Sequence, residues 1–130
     1  MTLISTAFTT NVTSQMANSP EYQTIIQLTP ELTNAFKSDL VSLSGEFLSA
    51  GFIADDNADN LRNEHNGAQG RAANLVSWIR DKIELEPERN YCAFIDVLKQ
   101  RLIVHESILR RLDEMYKKLG KLPLHGYLVS

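Results

Sequence analysis

Five large apolar side chains, Leu32, Phe36, Leu40, Leu43 and Phe47, recur at steps of four, four, three and four. That spacing follows the 3.6-residue turn of an α-helix and puts all five on one stripe, which leaves water only by packing on another element. The stretch Thr29-Pro30-Glu31-Leu32 supplies a start: a Thr to cap, a Pro for the first helical position and a Glu suited to the positive end of the helix dipole. A helix is expected from there to about Ala50, stopped by Gly51 and bent at Gly45, where glycine costs about 1 kcal/mol against alanine.

Four further segments repeat the pattern. "FIADDNADNLRNEH" opens with an apolar pair, takes Asp55 or Asp56 as cap and sets Ala58 and Leu61 on one side, giving a short acidic helix. "NGAQG" marks a break, after which Ala72, Leu75, Val76, Ile79 and Ile83 share a face, with Trp78 at its edge, in a helix ending before Pro87. Pro87 or Asn90 opens the next, with Tyr91, Phe94, Ile95, Leu98 and Leu102 together. His105, Ile108, Leu112, Met115 and Leu119 line the last, which Gly120 should stop. With no run of alternating residues, the expectation is an all-α antiparallel bundle of five to six helices.

The 130 residues suit one domain, expected over residues 29–120, with an extended or weakly ordered arm over 1–28 and a tail over 121–130. Met16, Tyr22, Ile25, Ile26 and Leu28 are the larger apolar groups of the arm, and Tyr22, Ile25 and Ile26 are available to pin it to the domain. A net charge of -3 with both signs present provides no whole-molecule field for nucleic acid or an anionic membrane. No segment reaches the roughly 20 apolar residues of a membrane span. The first residues lack a signal-peptide pattern and a single cysteine makes no internal disulfide, so a cytoplasmic setting is expected and the Asn11 glycosylation triplet carries little weight.

Three stretches carry a family resemblance: "FLSAGFIADDNADNL", "GRAANLVSWI" and "YCAFIDVLK". Their order is similar to that of a death-fold domain, and most like a caspase recruitment domain, over roughly residues 30 to 119. The segment through Leu85 is longer than the family's usual third helix. The resemblance implies a six-helix Greek key that binds other copies of its fold, often growing into helical assemblies, with no catalysis in the domain. Its partners would be other death-fold domains, self or heterotypic, in an adaptor or recruitment role of the kind found in apoptotic or innate-immune signalling.

Cys92 and His105 are the one pair of residue types that could form a nucleophile and its base. The orienting third group and the oxyanion donors are not in evidence, and both residues suit packing: His105 on its helix's apolar face, Cys92 on the flank of its own. The reading is two structural residues, the cysteine buried, with an inert exposed thiol and a cysteine-dependent enzyme as alternatives. His65, His105 and His125 are scattered, so no metal or cofactor is expected.

Arg110, Arg111, Lys117, Lys118 and Lys121 raise nucleic-acid binding through a basic last helix as a further alternative. Glu106 to Arg110, Asp113 to Lys117 and Glu114 to Lys118 are acid-before-base pairs four apart, each worth ~0.2–0.5 kcal/mol to a solvated helix. Only Arg111 and Lys121 lack a mate, and no aromatic residue interleaves the stripe. The acidic second helix is different: Asp55, Asp56, Asp59 and Glu64 face one base, Arg62. Lys37, Arg89, Lys99 and Arg101 offer a basic set elsewhere. One molecule's acidic helix meeting another's basic surface is a head-to-tail contact that does not close on itself, so an oligomer or filament can grow.

Overall fold

The structure is a computed structural model that describes residues 19–129. Expectations for residues 1–18, including Met16 and Asn11, lie outside the described residues, as do those for the side chains of Leu102, Lys121 and His125. The described chain is all-helical, with seven helices: α1 (Pro20–Gln27), α2 (Thr29–Phe36), α3 (Leu40–Ser49), α4 (Asp55–Arg62), α5 (Ala68–Leu85), α6 (Pro87–Lys99) and α7 (Leu102–Val129). None is long and apolar enough to cross a membrane among the described residues.

The first correction falls on the arm. Residues 20–27 are helical because the Ser19 hydroxyl accepts the Tyr22 N–H at 3.1 Å and Pro20 sits in the first turn. Ile25 and Leu28 are fully buried, so α1 is part of the core and not an appendage to it. Thr29, expected as a cap, is instead the first residue of α2, and its hydroxyl donates back to the Ile25 carbonyl at 2.8 Å.

The single helix expected to Ala50 is two. The Lys37 N–H still reaches the Thr33 carbonyl, the Asp39 N–H closes on Phe36 at 3.0 Å, and the ladder restarts with Leu43 N–H on Asp39. Gly45 lies inside α3 without interrupting it. The break sits at Lys37 to Asp39 because the Asp39 side chain is held by residues far along the chain, described below. Leu32, Phe36, Leu40, Leu43 and Phe47 are nevertheless all buried, so the stripe survives the corner. At the far end of α3, Gly51 has φ +79°, the Phe52 N–H reaches back to the Phe47 carbonyl at 2.9 Å and the Gly51 N–H to Leu48 at 3.1 Å. This is a Schellman stop, and the Phe47 and Phe52 rings complete it at 5.5 Å.

α5 runs through the middle and packs on α1, α2, α3, α4 and α6. Its expected face, Ala72, Leu75, Val76, Ile79 and Ile83, is buried throughout. Two polar side chains finish its neighbours: the Arg71 guanidinium donates to the Leu61 carbonyl at 2.6 Å and to Asn66 at 2.8 Å, closing α4, and Asn90 donates to the Lys82 carbonyl at 2.6 Å, closing α5. α7 departs from helical geometry at His105 (φ -113°, ψ 18°) and runs on past Gly120, where a stop was expected, to Val129. Gly120 is buried against α1: a Cβ placed there would lie 3.9 Å from that of Pro20.

A continuous file of rings crosses the core. His105 meets Phe36 edge-on at 5.7 Å, Phe36 meets Phe47 at 6.4 Å, Phe47 stacks on Phe94 at 6.1 Å, Phe94 meets Tyr91 at 6.2 Å, and Tyr91 stacks on Tyr116 at 4.8 Å. Each such contact adds about 0.5–1.5 kcal/mol to the burial itself. The file ties α2, α3, α6 and α7 into one body.

Candidate interaction surface

α4 presents the carboxylates. Its cap is Ala54, whose N–H donates to the Asn57 side chain at 2.9 Å, so neither Asp55 nor Asp56 caps the helix as expected. Both stand exposed in its first turn, beside the positive end of the helix dipole. Asp59 is exposed too, with the Arg62 guanidinium 4.0 Å away. The Arg62 Nε–H is committed elsewhere, donating to the Ser44 hydroxyl at 3.0 Å and fixing α4 to α3. Leu61 and Ala58, both fully buried, hold the helix with its acidic side outward.

Glu64 is separated from the other three. It lies past the end of α4 and lines a shallow depression of about 230 Å³ with Lys37, Val41 and Arg71. The expected acidic patch thus reduces to Asp55, Asp56 and Asp59, while Glu64 belongs to the surroundings of Lys37.

The basic set divides as well. Arg89 forms an exposed ion pair with Glu86 at 3.4 Å. Arg101 is engaged in a structural contact: Nε and Nη2 donate to the two oxygens of Asp39 at 2.5 and 2.8 Å. Lys37 and Lys99 are exposed and have no carboxylate within ion-pair distance among the described residues. They are the free cations of the predicted set.

Asp39 also shares its Oδ2 with His105 Nε2 at 2.8 Å. Burial alone would push the Asp39 carboxyl up, but the hydrogen bonds from Arg101 and His105 and their charges outweigh it and hold the group below the ordinary carboxylate range. The His105 Nδ1 is enclosed with no hydrogen-bond partner among the described residues. A buried imidazole bound to a carboxylate on one side and packed on Phe36 on the other is a core residue, as its place on the apolar face implied.

Cys92 was expected to be buried and is exposed. The buried face of α6 is Tyr91, Phe94, Val97 and Leu98, and Cys92 lies one step round from Tyr91 on the outer side. His105 faces Asp39, and nothing in the geometry sets it against the thiol. Among the described residues no three histidine, cysteine or carboxylate side chains come together as metal ligands.

Between α6 and α7 runs a groove of about 530 Å³ that the sequence did not announce. Tyr91, Ile95, Leu109 and Tyr116 form its apolar part, and Asp96, Lys99 and Arg110 lie on its rim. Ile95, expected on the buried face of its helix, is only half-buried and lines the groove, with Val97 buried in its stead; Leu109, one step from the buried Ile108, was the available signal. At its α1 end the Tyr116 hydroxyl donates to Glu21 at 2.7 Å, a carboxylate only 7% exposed. Burial raises the Tyr116 phenol above its ordinary value and the hydrogen bond to Glu21 raises it further, so it stays a neutral donor.

Three cations of the last helix, Arg110, Arg111 and Lys117, are paired within the chain. Arg110 pairs with Glu106 at 3.0 Å and Lys117 with Asp113 at 2.9 Å, as the spacing predicted. Arg111, expected to lack a mate, has two: Glu31 of α2 at 3.2 Å and Glu114 at 3.6 Å. Glu114 therefore points to Arg111 and not to Lys118.

Comparison with protein-family models, with curated proteins and with solved structures finds no match to this chain.

Proposed function

We propose that this chain is a protein–protein interaction module of the death-fold kind, making homotypic contacts in an adaptor or recruitment role within apoptotic or innate-immune-type signalling. The observation that carries this reading is the separation of charge: the exposed carboxylates Asp55, Asp56 and Asp59 against the single base Arg62 on α4, and the exposed Lys37 and Lys99 on other elements. α4 of one copy meets the Lys37 and Lys99 surface of the next, and because the two patches differ the contact propagates head to tail. Charge supplies steering and register; affinity comes from apolar groups desolvated between the copies. Val41, 58% exposed and beside Lys37 in the same depression, is placed to be one of them.

The basic-helix alternative draws less support, since Arg110, Arg111 and Lys117 are each paired within the chain. Light scattering over a concentration series, with electron microscopy of the large species, tests the proposal. Species that grow with concentration and dissolve as salt rises support it. A monomer at every concentration and low salt, or particles indifferent to salt, counts against it.

A further inference from the structure

The groove between α6 and α7 carries an ionic remainder of its own. Its charged side chains on α7 are settled within that helix, where Glu106 pairs with Arg110 at 3.0 Å and Asp113 with Lys117 at 2.9 Å. The two on α6 are not. Asp96 and Lys99 are both exposed, line the groove and have no ion-pair partner among the described residues, each other included. They stand three residues apart, about 4.5 Å along the helix axis at 1.5 Å per residue. Beside them Ile95 and Leu109, half-buried and on facing helices, leave an apolar strip partly open to solvent.

One free acid and one free base discriminate among occupants. A basic partner would satisfy Asp96 and meet Lys99 as a like charge, and an acidic partner would do the reverse. A second copy of the same face satisfies both. Laid antiparallel about a two-fold axis that passes between Asp96 and Lys99, α6 of one copy brings its Asp96 to the other's Lys99 and its Lys99 to the other's Asp96. Ile95 of each copy then flanks the axis, and the methylene stem of each Lys99 lies along the other copy's apolar strip with its ammonium at the edge. Along α7 the groove runs from Glu106 to Tyr116, about 15 Å, a small face that suits weak and reversible pairing better than a permanent interface.

We propose that the α6–α7 groove is a self-recognition surface, through which two copies of the chain form a closed two-fold dimer held by reciprocal Asp96 and Lys99 ion pairs. Such a contact uses the same face on both copies and stops at two. The dimer also occupies Lys99, one of the cations that the head-to-tail contact requires, so paired chains are withheld from growth. That consequence rests on the head-to-tail reading, whereas the pairing itself does not.

Cys92, the chain's only cysteine, is exposed, lines the groove and sits one turn before Asp96, so it reports on what fills the groove. The experiment is the rate at which an aryl disulfide reagent modifies Cys92 in the full-length Asp56→Lys/Asp59→Lys chain, whose head-to-tail contact is reversed in charge, over a concentration series with sedimentation velocity alongside. The series is repeated with Asp96→Lys added and with Asp96→Lys/Lys99→Asp added. Circular dichroism confirms that the helices persist, and each chain is compared only with itself across concentrations, because a neighbouring charge alters thiol reactivity. The expected result is a monomer in equilibrium with a dimer and a modification rate that falls about threefold or more from dilute to concentrated protein. Adding Asp96→Lys should leave a monomer with a constant rate, and the exchange of both charges should bring back the dimer and the protection. A mass and a rate indifferent to concentration in the first chain, or protection that survives Asp96→Lys, overturns the proposal. Large species in the first chain contradict the head-to-tail reading alone, since loss of protection with Asp96→Lys and its return with the exchanged pair still decide the pairing.

Discussion

Asp39 and Arg101, 62 residues apart in sequence, meet through two parallel hydrogen bonds at the two corners of the bundle, where α2 gives way to α3 and α6 to α7. His105, at the irregular first turn of α7, closes the same carboxylate from its other side. The contact explains why the chain turns at Asp39: an α-helix continued through this residue would have to carry the carboxylate away from both partners. Replacing Asp39 with Ala should cost about 1.5–3 kcal/mol, the range for hydrogen bonds to a charged group, and leave His105 Nε2 without a partner. Arg101→Lys should weaken the fold as well, because an ammonium cannot donate in the two-pronged geometry. Urea unfolding of the two variants beside the parent chain checks both; unchanged midpoints would mean the corner is held by packing alone.

The same carboxylate gives the fold a defined acid limb. Its folded value lies below its unfolded one, so the folded state binds fewer protons there than the unfolded state does. The stabilisation is complete above the ordinary carboxyl value near 3.8 and is lost as pH falls through the depressed folded value. Asp39→Asn should therefore lie below the parent chain in stability at pH 5 and converge on it as the solution is acidified below about pH 4. Unfolding midpoints measured from pH 5 to about pH 2 decide this. Curves that stay parallel throughout would contradict it.

Two glycines of the same segment should respond to alanine with opposite signs. At Gly51 the φ of +79° is unfavourable for a side chain although a Cβ would touch nothing within 4 Å, so Gly51→Ala should cost about 1 kcal/mol through the backbone alone. Gly45 is inside α3 with equal room for a Cβ, and Gly45→Ala should add about 0.5–1 kcal/mol by lowering the entropy of the unfolded chain. Thermal midpoints of the two variants read the sign directly.

Tyr116→Phe removes one oxygen and leaves the ring stacked on Tyr91. It also deprives the buried Glu21 carboxylate of its donor. The expected loss is about 1.5–3 kcal/mol, far more than an exposed phenol would cost, and the paired variant Tyr116→Phe with Glu21→Gln should recover part of it. A double-mutant cycle by calorimetry checks the coupling.

Local pattern carried the helices and the core but not the corners. The stripe of Leu32, Phe36, Leu40, Leu43 and Phe47 was legible because burial repeats at the helical period, and all five are buried. The break at Lys37 to Asp39 was not, because its cause lies at Arg101 and His105, and no window of neighbouring residues contains that information. α1 escaped for a related reason. Eight residues give too little periodicity, and burial of Ile25 and Leu28 comes from packing on α5, α6 and α7. The acidic face of α4 was readable as composition; that Arg101 and Arg89 are spent within the chain, leaving Lys37 and Lys99, required the fold. Cys92 went wrong by one step on the helical wheel, since a residue flanking a buried stripe falls on either side of the surface.

Sedimentation of the Asp56→Lys/Asp59→Lys chain, beside the parent chain and a third chain that also carries Lys99→Glu, probes the proposed head-to-tail contact with the fewest assumptions. The double reversal puts like charges on both contacting surfaces, and the added glutamate restores opposite signs with the polarity exchanged. Large species formed by the parent chain should disappear in the first variant, with helicity unchanged, and return in part in the second. Assembly of the Asp56→Lys/Asp59→Lys chain at the parent's level would show that α4 is a solvated surface and not a contact.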